Sequence, residues 1–148
     1  MVVAATIVVG AALAALLLAP HESPAQVTVH GTGRGPVNPG PNGQGVIDGG
    51  VSSIGRFTIS GGLQDQGIYV AYRRVTGGIA TVREVFSGAK GTIGVRITIH
   101  LGSPETPPWT VTSGTGIYAG LNASGRLSVD NYDSNPYTFV LTGRVRND

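Results

Sequence analysis

The chain contains no cysteine. A disulfide-stapled scaffold and a cysteine-ligated metal site are therefore excluded. Charge is sparse as well. Asp, Glu, Lys and Arg make up 12% of the residues, against about 25% in an average globular chain. The basic residues are scattered through Arg34, Arg56, Arg73, Arg74, Lys90 and Arg96. With no basic cluster, no nucleic-acid partner is expected. Helical periodicity is missing outside the N-terminal segment. Wholesale disorder is excluded too, because 41% hydrophobic residues suffice to build a core.

What is abundant is glycine, 24 of 148 residues, where about 7% is usual. These glycines have no three-residue period, so a collagen-like chain is out. A long helical bundle is disfavoured, since glycine costs about 1 kcal/mol relative to alanine inside a helix. A small, glycine-punctuated, mostly β protein remains.

Residues 1–20 are apolar and uncharged, and Ser23-Pro24-Ala25 follows them with the small residues that precede a signal-peptidase cut. A secretory signal cleaved after Ala25 is expected, which makes the protein secreted or extracytoplasmic. No Lys or Arg precedes the apolar run. The alternative is an uncleaved membrane anchor, because about 20 apolar residues can span a bilayer. Residues 26–53 form a lead-in dense in Gly, Pro and Asn, with a short edge strand over Val27–His30. Its Gly31, Gly33 and Gly35 precede no helix and no Lys-Ser/Thr pair, so neither nucleotide fingerprint is met.

Residues 54–148 form the predicted folded domain. Short alternating runs at about 54–60, 67–75, 79–87, 91–101, 108–113, 116–120, 126–132 and 137–146 are separated by turn signals. Ile93, Val95, Ile97, Ile99 and Leu101 share one face of the clearest run, and Thr92, Arg96, Thr98 and His100 share the other. Around Thr76-Gly77-Gly78, a three-residue hairpin loop pairs Val75 with Ile79. Tyr72 then faces Val82, Val70 faces Glu84 and Ile68 faces Phe86. A one-residue slip would put the two apolar sets on opposite faces. Such strands close into a barrel or pack as a sandwich. Closure suits a chain this poor in charge, because it removes edges that charges would otherwise protect.

The segment Trp109-Thr-Val-Thr-Ser-Gly-Thr-Gly-Ile-Tyr-Ala-Gly-Leu121, with Gly125 beyond it, resembles the signature turn of the allene oxide cyclase and dirigent-like β-barrels. Phe86-Ser-Gly88 with Gly91-Thr-Ile-Gly-Val95 resembles the preceding strand pair. Tyr137-Thr-Phe-Val-Leu-Thr-Gly143 resembles the closing strand. The resemblance covers about residues 54–146 and is similar to that of small exported bacterial barrels. It implies an all-β, eight-stranded closed antiparallel barrel, often a homotrimer, with an apolar cavity and no cofactor. Plant members steer cyclisation or radical coupling by shaping a bound substrate. No catalytic position carries over, and fold alone does not settle function.

Glu84 is the foremost candidate for chemistry. It lies between Val82 and Phe86 on the expected apolar face, diagonal to Tyr72. A carboxyl in a dry barrel has a raised pKa and can act as acid, base or cation stabiliser, with Tyr72 as its companion. Arg74 shares that face and could pair with it at a solvated mouth. Arg74, Phe86, Trp109 and Tyr118 are candidate ligand-binding residues, and Trp109 and Tyr118 are alternatively core plugs. His30 and His100 are too dispersed to hold a metal, and His100 belongs to a wet face. Ser113 lacks a nucleophile elbow. Asp130 and Asp133 do not fit a calcium loop. Asn122-Ala123-Ser124 is a glycosylation sequon. Three functions remain open. The barrel binds a small apolar or amphipathic molecule, acts as a cofactor-independent cyclase or isomerase, or serves as a structural envelope or matrix component.

Overall fold

A computed structural model describes residues 25–35, 50–131 and 134–146. The expected signal segment lies outside the described residues, as does most of the lead-in. The strands are β1 (Gln26–Arg34), β2 (Val51–Gly61), β3 (Asp65–Thr76), β4 (Ile79–Gly88), β5 (Gly91–His100), β6 (Pro108–Gly114), β7 (Asn122–Asp130) and β8 (Tyr137–Arg146). They form one closed barrel in chain order, with β1 completing the circle against β8. Every pairing is antiparallel. Closure leaves no unpaired edge among the eight strands, as the low charge content led us to expect.

The barrel begins earlier than residue 54. β1 is a full wall strand paired on both sides, and not an edge strand in a lead-in. Its inward positions are Val27, Val29, Gly31 and Gly33, all buried. Two of the four are glycine, which makes a strand read as a loop. Residues 116–120 are likewise not a strand. Gly116–Tyr118 is a single 3-10 turn that connects β6 to β7.

The β3–β4 hairpin differs from expectation by one residue. Gly77 and Gly78 both take positive φ, 57° and 78°, as a two-residue type I′ turn requires. Thr76 therefore pairs with Ile79, and Tyr69 with Phe86, Ala71 with Glu84 and Arg73 with Val82. Tyr69, Ala71 and Arg73 take the inward positions, and Ile68, Val70, Tyr72 and Arg74 turn outward. The strand carries apolar residues at both parities, so hydrophobic pattern alone did not fix its register. The turn did.

β5 follows its alternation. Ile93, Val95 and Ile97 are buried, whereas Arg96 and His100 are exposed. Leu101 falls beyond the strand end and is exposed. In the middle of the barrel Phe57, Tyr69, Phe86 and Phe139 form a ring cluster. Phe57 meets Phe86 edge-on at 5.1 Å between centroids, and Tyr69 meets Phe139 edge-on at 5.1 Å. Such contacts add about 0.5–1.5 kcal/mol each beyond area burial.

The rings fit because glycines on nearby strands of the sheet leave room for them. A Cβ at Gly31 would overlap the Phe139 ring. Gly31→Ala is therefore expected to destabilise the barrel by about 1–3 kcal/mol. Most of that loss should disappear in a Phe139→Leu background. A double-mutant cycle by chemical denaturation measures it, and additive losses would show that the ring does not occupy the space above Gly31.

Candidate functional site

The barrel has two chemically different ends. One carries the β2–β3 and β4–β5 turns and the 3-10 turn. There Asp65 gathers four donors: the Tyr118 hydroxyl at 2.8 Å, and the backbone N–H groups of Gln66 at 2.8 Å, Ala89 at 3.2 Å and Lys90 at 3.2 Å. Burial pushes the Asp65 carboxyl up, but these hydrogen bonds outweigh it and hold the group below its ordinary value. The Tyr118 hydroxyl is pushed up by burial and by the Asp65 carboxylate. Tyr118 is thus a buried clasp that ties three turns together, and not a cavity-mouth residue.

The other end carries the β3–β4 turn. Ser53, Tyr69 and Tyr137 join their hydroxyls there. Tyr69 donates to Tyr137 at 3.3 Å, Tyr137 donates to Ser53 Oγ at 2.6 Å, and Ser53 and Tyr69 lie 3.1 Å apart. With Ser53 as donor in the last contact, the three bonds close a ring. An irregularity in β2 between Val51 and Ser53 brings Ser53 onto the inward face. Burial pushes the Tyr69 hydroxyl up, and the Tyr137 hydroxyl and the Glu84 charge push it further.

Glu84 lies within this half of the barrel. Its cross-strand partners are Ala71 and Val95, both buried and apolar. The side chain is 5% exposed. Its Oε2 is buried and has no hydrogen-bond partner. Burial alone pushes its pKa up to about 8. At neutral pH Glu84 is therefore a carboxylic acid, a hydrogen-bond donor held in an apolar wall. Arg73 is its diagonal neighbour across β3–β4, and the Arg73 Nε is also buried without a hydrogen-bond partner. Among the described residues Glu84 makes no ion pair.

Glu84 is inward, as the alternation indicated, but its expected companions are not beside it. Tyr72 points outward, with the Arg83 guanidinium 5.0 Å from its ring centroid. Arg74 is exposed on the same outer face. Its diagonal neighbours are Tyr69 and Arg73, each one residue further along β3 than the Ile68 and Tyr72 of the expected register. The Gly77-Gly78 dipeptide was the signal that could have found them. Phe86 belongs to the ring cluster that underlies Glu84. Trp109 is buried, and its indole N–H donates to the carbonyls of Arg126 and Thr142 at 3.2 Å each. It is a core plug bonded to two strands. His100 is exposed on the outer face, and no group of three His, Asp or Glu is placed for a metal among the described residues.

Set against known protein families, curated proteins and solved structures, the chain matches no family model, no curated protein and no solved structure.

The folded state keeps a proton on Glu84 that the unfolded chain releases near its ordinary pKa of 4.5. Between that value and about 8, the native state binds more protons than the unfolded one, so stability falls as pH rises and levels off above it. Glu84→Gln should remove this slope. Denaturant midpoints across the window measure it, and an identical slope in both proteins would rule out a buried ionisable group at position 84.

Proposed function

We propose that the protein binds a small amphipathic molecule at the end of the barrel where Glu84 and the Ser53–Tyr69–Tyr137 hydroxyls gather. The observation that carries this reading is the unpartnered Glu84 carboxyl. A buried polar atom without a partner costs about 1–3 kcal/mol, and an apolar residue of similar size would avoid that cost. A ligand with a hydrogen-bond acceptor or a basic nitrogen supplies the missing partner. The hydroxyl ring, whose own protons are donated within it, offers acceptor lone pairs to the ligand's polar end, and the apolar Ala71 and Val95 flank Glu84 for its body. No cofactor enters this reading. Secretion and membership of the allene oxide cyclase and dirigent-like barrels, with the homotrimer that this implies, belong to the same proposal. Their support is the N-terminal apolar run, the turn at Gly114–Gly120 and the eight-stranded closed barrel.

The protonation state of Glu84 favours a second reading, a cofactor-independent cyclase or isomerase. A neutral carboxylic acid in an apolar wall can hydrogen-bond a substrate oxygen and stabilise charge that develops there. In that case Glu84 would be the acid and the hydroxyl ring would position the substrate. A structural envelope role, the third reading, is favoured by the dense ring packing at mid-barrel.

Native mass spectrometry of the protein purified from its own cells tests the binding reading. The wild-type chain should retain a small-molecule adduct. Glu84→Ala should retain none while keeping its β circular dichroism. An adduct-free wild type, or equal retention by both proteins, would remove the support for a ligand at Glu84.

A further inference from the structure

The outer wall of the barrel carries an arrangement that the interior does not explain. Ser124, Gly125 and Arg126 of β7 and Thr142, Gly143, Arg144 and Arg146 of β8 line an open cleft of about 440 Å³. All three arginines are exposed. Among the described residues no carboxylate and no aromatic ring lines the cleft. Arg126 donates to the Thr106 carbonyl at 2.9 Å, which fixes one guanidinium at the rim. No carboxylate lines the cleft among the described residues, although Glu105 immediately precedes the Thr106 that Arg126 binds and Asp130 is exposed on the same strand as Arg126. Asp65 is bound to the Tyr118 clasp, Glu84 is inside, Glu105 is in the β5–β6 connection and Asp130 ends β7.

The strand register sets the spacing. Arg144 pairs with Ser124, and Arg126 pairs with Thr142, so Arg126 and Arg144 are diagonal neighbours. Diagonal Cα atoms lie about 7–8 Å apart. Arg144 and Arg146, two residues apart on one strand face, are separated by about 7 Å. The Cα atoms of the three arginines thus follow one another at near-equal steps along the cleft. The row continues around the wall through direct cross-strand partners: Ser124 to Thr110, Thr110 to Arg96 and Arg96 to Arg83. Arg96 and Arg83 face each other as like charges, an arrangement that destabilises a sheet, and the Arg83 guanidinium lies over the Tyr72 ring. Between the arginines the row is made of hydroxyl side chains.

We propose that this face binds an extended anionic glycan, sulfated or phosphorylated, with the β7–β8 cleft as its anchor and the Arg96–Arg83 pair as the continuation of its track. Arginines at evenly stepped backbone positions suit anionic groups repeated along a chain, and a guanidinium can take a sulfate or phosphate oxygen pair side-on. The intervening Ser and Thr hydroxyls match sugar hydroxyls. A single-stranded nucleic acid would call for exposed rings on which bases stack, and the cleft has none. The face lies outside the barrel and is independent of any ligand at Glu84.

The chain has one tryptophan, and its indole N–H is bonded to the carbonyls of two cleft residues. Its fluorescence therefore reports directly on the wall beneath the cleft. We expect dextran sulfate to change that signal with an affinity that falls steeply as salt is raised. Arg144→Ser/Arg146→Ser should weaken the affinity about tenfold or more, with unchanged thermal stability. Arg83→Ser/Arg96→Ser should weaken it less. Inorganic phosphate at matched charge should compete poorly. Wild-type affinity in the Arg144/Arg146 variant would overturn the proposal. So would a single-stranded oligonucleotide binding as tightly as dextran sulfate, or inorganic phosphate competing equally well.

Discussion

The interior of this barrel is organised by a steric exchange between rings and glycines. Eight strands enclose a space only just wide enough for side chains. A ring can lie down along it only where a strand beside it, one or two away in the sheet, gives up its own side chain. Phe139 lies over Gly31, Tyr69 over Gly33 and Trp109 over Gly143. The other features follow from these placements. Tyr69, seated over Gly33, brings its hydroxyl to Ser53 and Tyr137. Trp109, seated over Gly143, reaches the carbonyls of two strands at once. Glycine is thus complementary to large side chains at Gly31, Gly33 and Gly143, and at most other described positions it permits close backbone approach or sits in a turn. Its role in chain flexibility is concentrated at turns such as Gly77-Gly78.

This exchange also decides how much of the structure could be read from the sequence. β5 was legible because Ile93, Val95, Ile97 and Ile99 alternate with polar residues, and one face had to be dry. β1 was not, because its inward glycines present nothing hydrophobic to a pattern. β3 was ambiguous for a different reason. In a chain with so few charges, Ile68, Val70 and Tyr72 look as suited to the interior as Tyr69, Ala71 and Val75. Only the backbone demand of two consecutive positive φ values separates the alternatives. Glu84 could be found as an inward carboxyl from its own strand. Ser53 and Tyr137 could not, since an irregular strand and a long-range approach bring them to Tyr69.

Two carboxyls show how far local environment governs chemistry in one small fold. Asp65 and Glu84 are both removed from bulk water to some degree. Asp65 is surrounded by donors and stays a carboxylate, where it serves as a structural clasp. Glu84 has apolar neighbours across both strands and keeps its proton, where it is available as a donor. The arginines, by contrast, are mostly on the outside, where they outnumber the exposed acids Glu105 and Asp130 among the described residues.

The circle is completed by the pairing of β1 with β8, from Gln26 opposite Arg144 to Gly33 opposite Tyr137. These strands are nearly the whole domain apart in sequence. Every other wall contact joins neighbours along the chain, so seven strands can form a sheet in the order of their synthesis. Until β8 arrives, that sheet keeps an open strand at each side. The last ten residues of the described chain thus convert a sheet with two adhesive borders into a closed body, and they must do so against the entropy of the longest loop in the fold. The native state gains its freedom from edges only at the end of its assembly. The period of greatest exposure to misassociation is therefore built into the connectivity itself.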